Sequence, residues 1–399
     1  MRPVARPVRS VRLLPLIALV ALSSACQSAM SVEEAKKVTA AFTGSFVPPP
    51  RTIKDITAIL DQQKPDPAAV AKAKARADGA PPNTTSPTTL TQFYHQRGLA
   101  AREIGRAKQE IEDLTQALDW ARKGGAGAGE GQAYHDMVWH AALAEVSAGN
   151  ITRAQGLLQE AIATTPPDRR GALFKLHAML TRLYASAGDF SAAEAEAQKL
   201  LALLNETRNW RNLRSEWVAF WNSDTADAQA YLALASGRLA EAEAHFREAQ
   251  AWLLRDPVAS RAPAVDLLQS RLAGVLVRQG RLLEAEKEAR TALLGALSKR
   301  GRYSPHTALV LAALVDAIAE QGRFAEAETL ARAVLDIYQK TGASDDSAVA
   351  ALARNRLASS LVSQGRWREA LAEYEAVMKG MEGDPEGYRR FAQGNAGFA

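Results

Sequence analysis

The 399-residue chain has a single cysteine, Cys26. No disulfide can close within it, and a zinc site built on cysteines is excluded. Aromatic residues make up 6%, and alternating runs of β-branched and aromatic residues are missing, so strands have little support. Net charge is scarce too. The formal charge is +5, but Arg2, Arg6, Arg9 and Arg12 stand in the first 25 residues without an acid, and the remainder holds 45 basic against 44 acidic residues. A balance of +1 offers no general footprint for a phosphate backbone, so nucleic acid is not an expected partner. No phosphate loop, dinucleotide fingerprint or nucleophile elbow occurs. Neither a catalytic site nor a cofactor is expected.

Good helix formers are abundant: Ala, Leu, Glu, Arg and Gln fill long stretches. The chain opens with the four arginines, an apolar run of ten residues from Leu13 to Leu22, and small residues Ser23-Ser24-Ala25. This is the order of a secretory signal peptide over residues 1–25, and the run is shorter than the ~20 apolar residues of a permanent membrane span. Cys26 follows at once. The arrangement resembles the lipobox of bacterial lipoproteins, whose new N-terminal cysteine is acylated. It departs in that Leu22 stands four residues ahead of Cys26, with Ser23 where the leucine usually sits. Cleavage after Ala25 with Cys26 incidental is the plainer alternative. Both readings export the chain, with a periplasmic address at the outer membrane as the expectation.

Residues 26–90 differ from the rest. Ser31-Val-Glu-Glu can cap a short helix to about Ala41. Pro48-Pro-Pro50 forces extended backbone. Thr52–Gln62 reads as a helix with Ile53, Ile56, Ile59 and Leu60 on one side, and Pro67–Ala77 as another. Ala80-Pro-Pro-Asn-Thr-Thr-Ser-Pro87 is a linker. The segment is expected to be mobile or to lie along the first repeat.

From residue 91 to 384 one phrase recurs, ending at Gly105, Gly149, Gly188, Gly237, Gly280, Gly322 and Gly365, with spacings of 44, 39, 49, 43, 42 and 43. Five residues on stand Ala154, Ala193, Ala242, Ala285, Ala327 and Ala370; the first copy has Glu110. Each glycine can supply a left-handed turn between two helices, and the alanine lets the second helix lie close to the first. A single hairpin cannot bury its apolar face, so such copies stack into a solenoid. Residues 385–399 form a tail.

The pattern resembles the tetratricopeptide repeat. Gly98, Gly105, Ala117 and Leu118 carry the likeness in the first copy; Ala154, Ala161 and Pro166 in the second; Tyr184, Gly188 and Ala193 in the third; Gly237, Ala242, Phe246 and Ala249 in the fourth; and Gly365, Ala370 and Tyr374 in the seventh. The period near 42 is similar to the long repeats of kinesin light chains. The resemblance implies an all-α, right-handed solenoid of about seven antiparallel helix pairs whose first helices line a concave groove that takes a partner peptide or protein. Carried over position by position, the groove falls to His95 and Arg102, Asp136 and Trp139, Lys175 and Arg182, Asp227 and Tyr231, Ser270 and Arg278, Asp316 and Glu320, and Asn355 and Ser359. A looser likeness joins Pro48–Ile56 and Phe93–Gly98 to the region ahead of bacterial CHAT-type, caspase-like peptidases. No cysteine follows residue 26, so that family's nucleophile is absent and the likeness implies at most the recognition half of such a system.

Four further features invite chemistry. His135 and His140, two of six histidines, are five apart and do not share a helical face; surface or half-buried histidine, with no metal, is the expectation. Gly124-Gly-Ala-Gly-Ala-Gly-Glu130 has no strand before it and reads as a linker. The acid pairs Glu33-Glu34 and Asp345-Asp346 suit helix starts. Trp210, Trp217 and Trp221 fall at i, i+7 and i+11 with Arg208, Arg211 and Arg214 beside them. On one helix they would share a face, packed between helices or anchoring a ligand.

Overall fold

The computed structural model describes residues 51–124, 132–207, 210, 212–343 and 347–380. The leader with Cys26, the helix expected at 31–41, most of the glycine-rich linker, Arg208, Arg211, Asp345-Asp346 and the tail fall outside them. The described residues form sixteen α-helices and one 3-10 turn, with no strand. Seven antiparallel pairs build a right-handed solenoid: α3 (Pro87–Glu103) with α4 (Ala107–Lys123), α5 (Gln132–Ser147) with α6 (Ile151–Thr164), α7 (Arg170–Ser186) with α8 (Phe190–Thr207), and α9 (Ser215–Ala235) with α10 (Leu239–Leu254). They continue with α11 (Pro263–Arg278) and α12 (Leu282–Arg300), α13 (Pro305–Glu320) and α14 (Phe324–Thr341), and α15 (Ala348–Ser363) and α16 (Trp367–Gly380). The first pair starts at Pro87, whose missing N–H costs nothing in the first turn.

All seven repeat glycines have φ between 70° and 79°, a region where a side chain adds strain. The turn closes as a Schellman motif: in the fifth pair the Gly280 N–H donates to the Val277 carbonyl (2.9 Å) and the Arg281 N–H to Leu276 (2.9 Å). The alanines five residues on are at most 1% exposed. In the first pair Glu110 occupies that place and is buried. Arg102 holds it at 2.6 Å, while burial pushes its carboxyl up.

Residues beside the glycines stitch one pair to the next. Arg281, Arg323 and Arg366 each follow a turn glycine. Each pairs with a glutamate three residues on and with one on the preceding second helix: Arg281 with Glu243 (2.5 Å), Arg323 with Glu286 (2.8 Å) and Arg366 with Glu328 (2.5 Å). The preceding Gln279, Gln321 and Gln364 donate to backbone carbonyls at Leu239, Leu282 and Phe324. Glu286 is fully buried and is satisfied by Arg290, Gln321 and Arg323.

The segment before the repeats is part of this architecture. Helices α1 (Lys54–Asp61) and α2 (Pro67–Ala77) match the two helices read from sequence. Asp66 caps α2, accepting from the Ala68 and Ala69 N–H groups at 3.0 Å. As expected, α2 lies along the first repeat, with Ala73 and Ala77 buried against Ala100 and Ile104. Helix α1 does not. Ile53, just ahead of it, and its Ile56 and Leu60 enter the core built by α12 through α15, about 235 residues along the chain. Arg290 donates to Asp55 (2.7 Å) and the Thr52 carbonyl (2.8 Å), Arg302 to the Leu60 carbonyl (2.8 Å), and the Ile53 N–H to Glu326 (3.2 Å). The first turn itself meets the end of α14: a Cβ placed on Gly105 would sit 2.6 Å from the Ala343 Cβ, and one on Gly342 would sit 3.3 Å from the Ile104 Cβ. Residues 52–79 therefore clasp the first repeat to the fifth and sixth.

An aspartate at Ile56, which is 1% exposed, places a carboxylate in the α12–α14 core. Ile56→Asp is expected to cost about 2–4 kcal/mol and to keep the circular dichroism of the repeats. It should also raise the radius of gyration measured by small-angle X-ray scattering. An unchanged radius would show that the clasp does not hold the first repeat to the sixth.

Candidate interaction groove

Among the first helices α5 packs on α7, α7 on α9, α11 on α13 and α13 on α15, while α3 reaches α5, and α9 reaches α11, through side-chain bonds; their remaining faces form the candidate groove. Counting back from each turn glycine aligns the rows. Asp136, Lys175 and Asp224 stand thirteen residues before their glycines, followed by Leu267 and Leu309. Lys175 donates to Asp136 at 2.8 Å and lies 4.5 Å over the Trp139 ring. One turn nearer the glycines, the His95 Nε2 and His140 Nδ1 are 3.1 Å apart, one donating and the other accepting. Burial first, and then Arg102, His95 and Lys175, lower His140 to about 4. Burial also lowers His95, so the pair is neutral and has no electrostatic attraction for an anion. Arg102 bridges Glu110 and the His140 carbonyl (2.9 Å). Among the described residues no three His, Cys, Asp or Glu side chains are placed to hold a metal ion.

The centre of the groove is most heavily charged. Asp227, buried on α9, accepts from Arg182 of α7 (2.6 Å) and Arg271 of α11 (2.7 Å), so one carboxylate joins three consecutive repeats. Arg271 also lies 5.1 Å over the Tyr231 ring. Asp224, one turn ahead of Asp227 on the same face, is half-buried and deep enough that surrounding protein displaces much of its water. That burial lifts its carboxyl to about 6; Asp227 adds to the lift, while Arg182, Lys175 and Arg271 oppose it. It accepts no hydrogen bond from any described residue. Further along, Arg356 of α15 grips Asp316 of α13 at 2.9 and 3.2 Å.

Of the groove positions carried over from the repeat pattern, the structure brings His95, Arg102, Asp136, Trp139, Lys175, Arg182, Asp227, Tyr231 and Asp316 into these cross-helix contacts. Arg278 and Glu320 are exposed at the ends of α11 and α13, Ser359 is exposed, and Asn355 is half-buried. Ser270 turns its hydroxyl to the Asp266 carbonyl. The bridging residues in the fifth and seventh pairs are the neighbours Arg271 and Arg356. Counted back from their glycines, Trp139, Asp227, Ser270 and Asn355 all stand ten residues away, whereas His140, Arg271 and Arg356 stand nine away, one position round the helix, in a row that the repeat pattern does not carry into the groove. Asp224, thirteen away, shares the row of Asp136 and Lys175 but lies outside the positions carried over.

The tryptophan face needs correction. Trp210 precedes α9, separated from it by Asn212 at φ 69°, and meets the others from the loop rather than by helical spacing. Trp221 is buried and stacks on Phe174 with centroids 4.8 Å apart; Trp210 and Trp217 lie against it at 6.2 and 6.4 Å. Packing between helices thus accounts for Trp221, while Trp210 and Trp217 remain 44% and 40% exposed.

Asp224 provides a pH test. Its folded-state value near 6 lies above the ordinary 3.8, so the ionised carboxyl destabilises the fold above pH 6, and that penalty fades as pH falls toward 4. Asp224→Asn is expected to raise stability at pH 8 by ~1–2 kcal/mol. In thermal unfolding the gap from the unmodified chain should close by pH 4. A gap independent of pH would refute the buried charge.

Residues 265–340, which take in most of α11 through α14, match the tetratricopeptide repeat family. No curated protein matches the chain. Among solved structures, the apo form of the quorum sensor NprR from B. thuringiensis is 14% identical, with 82% of this chain and 83% of that one covered and a TM-score of 0.50. A Rap protein complexed with competence and sporulation factor is 11% identical, covers 84% of this chain and 92% of its own, and has a TM-score of 0.47. A putative kinesin light chain with nearly identical TPR-like repeats, from Podosopora anserina, is 21% identical over 52% of this chain and 95% of its own, at a TM-score of 0.41. At these identities the likeness is one of fold: stacked helical hairpins of the tetratricopeptide type.

Proposed function

We propose that the chain is a non-catalytic scaffold of the bacterial cell envelope that holds a peptide, or a segment of a partner protein, in the groove lined by α3, α5, α7, α9, α11, α13 and α15. The observation that carries this reading is the charged row at the groove's centre. Asp136 and Lys175 keep about a third of their side chains exposed, at 32% and 34%, while held by each other. Arg271 keeps 32%. Side chains already fixed by neighbours lose little freedom on binding, and that favours recognition by a preformed surface. Mixed charge suits a polar or mixed peptide over an apolar one. The leader and Cys26 support export and attachment to the outer membrane through a lipid on that cysteine.

A photo-crosslinking residue introduced at Trp139 or Tyr231 should capture a discrete partner in intact cells, and one at exposed Glu248 on α10 should not. Equal capture at all three sites, or none, would remove the groove reading. Cys26→Ala should shift the mature protein from the membrane to the soluble fraction, and an unchanged distribution would remove the lipid anchor alone.

A further inference from the structure

We propose that Asp224 is the subsite for a lysine or arginine side chain of the bound peptide, with an apolar residue of the same peptide seated beside it. The inference rests on the groove reading and assigns its ligand chemistry.

The groove's other central charges are already engaged. Asp227 is shared by Arg182 and Arg271, and Lys175 is bonded to Asp136. Asp224 remains, a half-buried carboxyl facing the groove with no donor among the described residues. The neighbouring helices define its surroundings. From α7 it faces Lys175 and Arg182, from α11 Arg271, and on its own helix Asp227. Helices α8 and α10 pack on the far faces of α9 through buried Leu200, Leu203, Phe246 and Ala249. The three cations are committed to other carboxylates, so they steady Asp224 through space without satisfying its oxygens. The Asp224 oxygens are neither fully buried nor bonded to a described donor, so they stay open to a ligand. A ligand ammonium or guanidinium would supply the missing donor, and a charge-assisted bond in such a setting is stronger than one in water.

What surrounds the carboxyl selects a peptide over a bare cation. In the same row the next two repeats carry Leu267 and Leu309, the latter 53% exposed. Gly274, two turns after Leu267 on α11, has open space where a side chain would project. On the other side, Trp217 and Phe220 share the α9 face with Asp224, their rings 6.1 Å apart. An apolar side chain next to the cation therefore finds partly uncovered apolar surface at Trp217 and Phe220 on the same helix or at Leu267 on the next repeat.

The test is selection of a displayed random peptide library on the whole chain at pH 7.5. Enriched sequences should share a lysine or arginine at one position beside an aliphatic or aromatic residue. The consensus peptide should lose about tenfold in affinity on Asp224→Asn and recover with Asp224→Glu. Its affinity for the unmodified chain should fall from pH 7.5 to pH 5, where the carboxyl takes up a proton, and stay flat for Asp224→Asn. A consensus without a cation, or equal affinity for Asp224→Asn, overturns the subsite and leaves the groove reading intact. Displacement of the peptide by spermidine as effectively as by a second peptide assigns Asp224 to free polyamines and also overturns it. No enrichment at all removes both readings.

Discussion

A backbone held at positive φ between two helices, seven times over, is the constraint from which the rest of this structure follows. Each turn glycine reverses the chain within a few residues, so the second helix must fall against the first. The alanine five residues on, with almost no surface left, sets how close that approach is. In the last three pairs the spacing between helices also fixes where the arginine after the glycine points, and there it meets a glutamate of the preceding pair. The same short phrase thus ends one helix, begins the next and ties the repeat to its predecessor. The first pair departs at Glu110 and needs Arg102 to compensate.

Charge is spent differently on the two sides of the solenoid. Along the second helices it is structural: the buried Glu286 receives donors on both oxygens, from Arg290, Gln321 and Arg323. A buried carboxylate is tolerable when its lone pairs are filled in this way. Along the groove Asp227 is filled similarly, by arginines from two neighbouring repeats, which fixes the relative rotation of α7, α9 and α11. Asp224 lies one turn away, half-buried where Asp227 is buried, and has no donor among the described residues. The contrast between these two acids on one helix face separates what the fold uses for itself from what it leaves for another molecule.

The clasp joins these two uses. Arg290, which helps to satisfy Glu286, also holds Asp55 and the Thr52 carbonyl, so the stitch between the fifth and sixth pairs and the docking of α1 share a guanidinium. A solenoid whose repeats touch only their neighbours is open to bending along its length. Here the first turn abuts Gly342 and Ala343, and a long-range contact limits that freedom. The width of the groove is then a property of the whole array rather than of any two repeats.

The sequence by itself determined the helix pairs, their turns and the close-packed alanines. Those depend on local backbone preference and on a period within one helix, both written in neighbouring residues. It also placed α2 at Pro67–Ala77 and named most of the side chains that meet between first helices, because a helix face is read from spacing alone. The tertiary structure decided what those side chains meet. His95 reaches His140, Asp227 reaches Arg182 and Arg271, and α1 reaches α12 across more than two hundred residues. Trp210 joins Trp221 from a loop, where helical spacing had put it on a helix. Such contacts depend on the small rotation from each pair to the next, summed along the array. That sum is set by the packing of the whole core and has no signature at any single position.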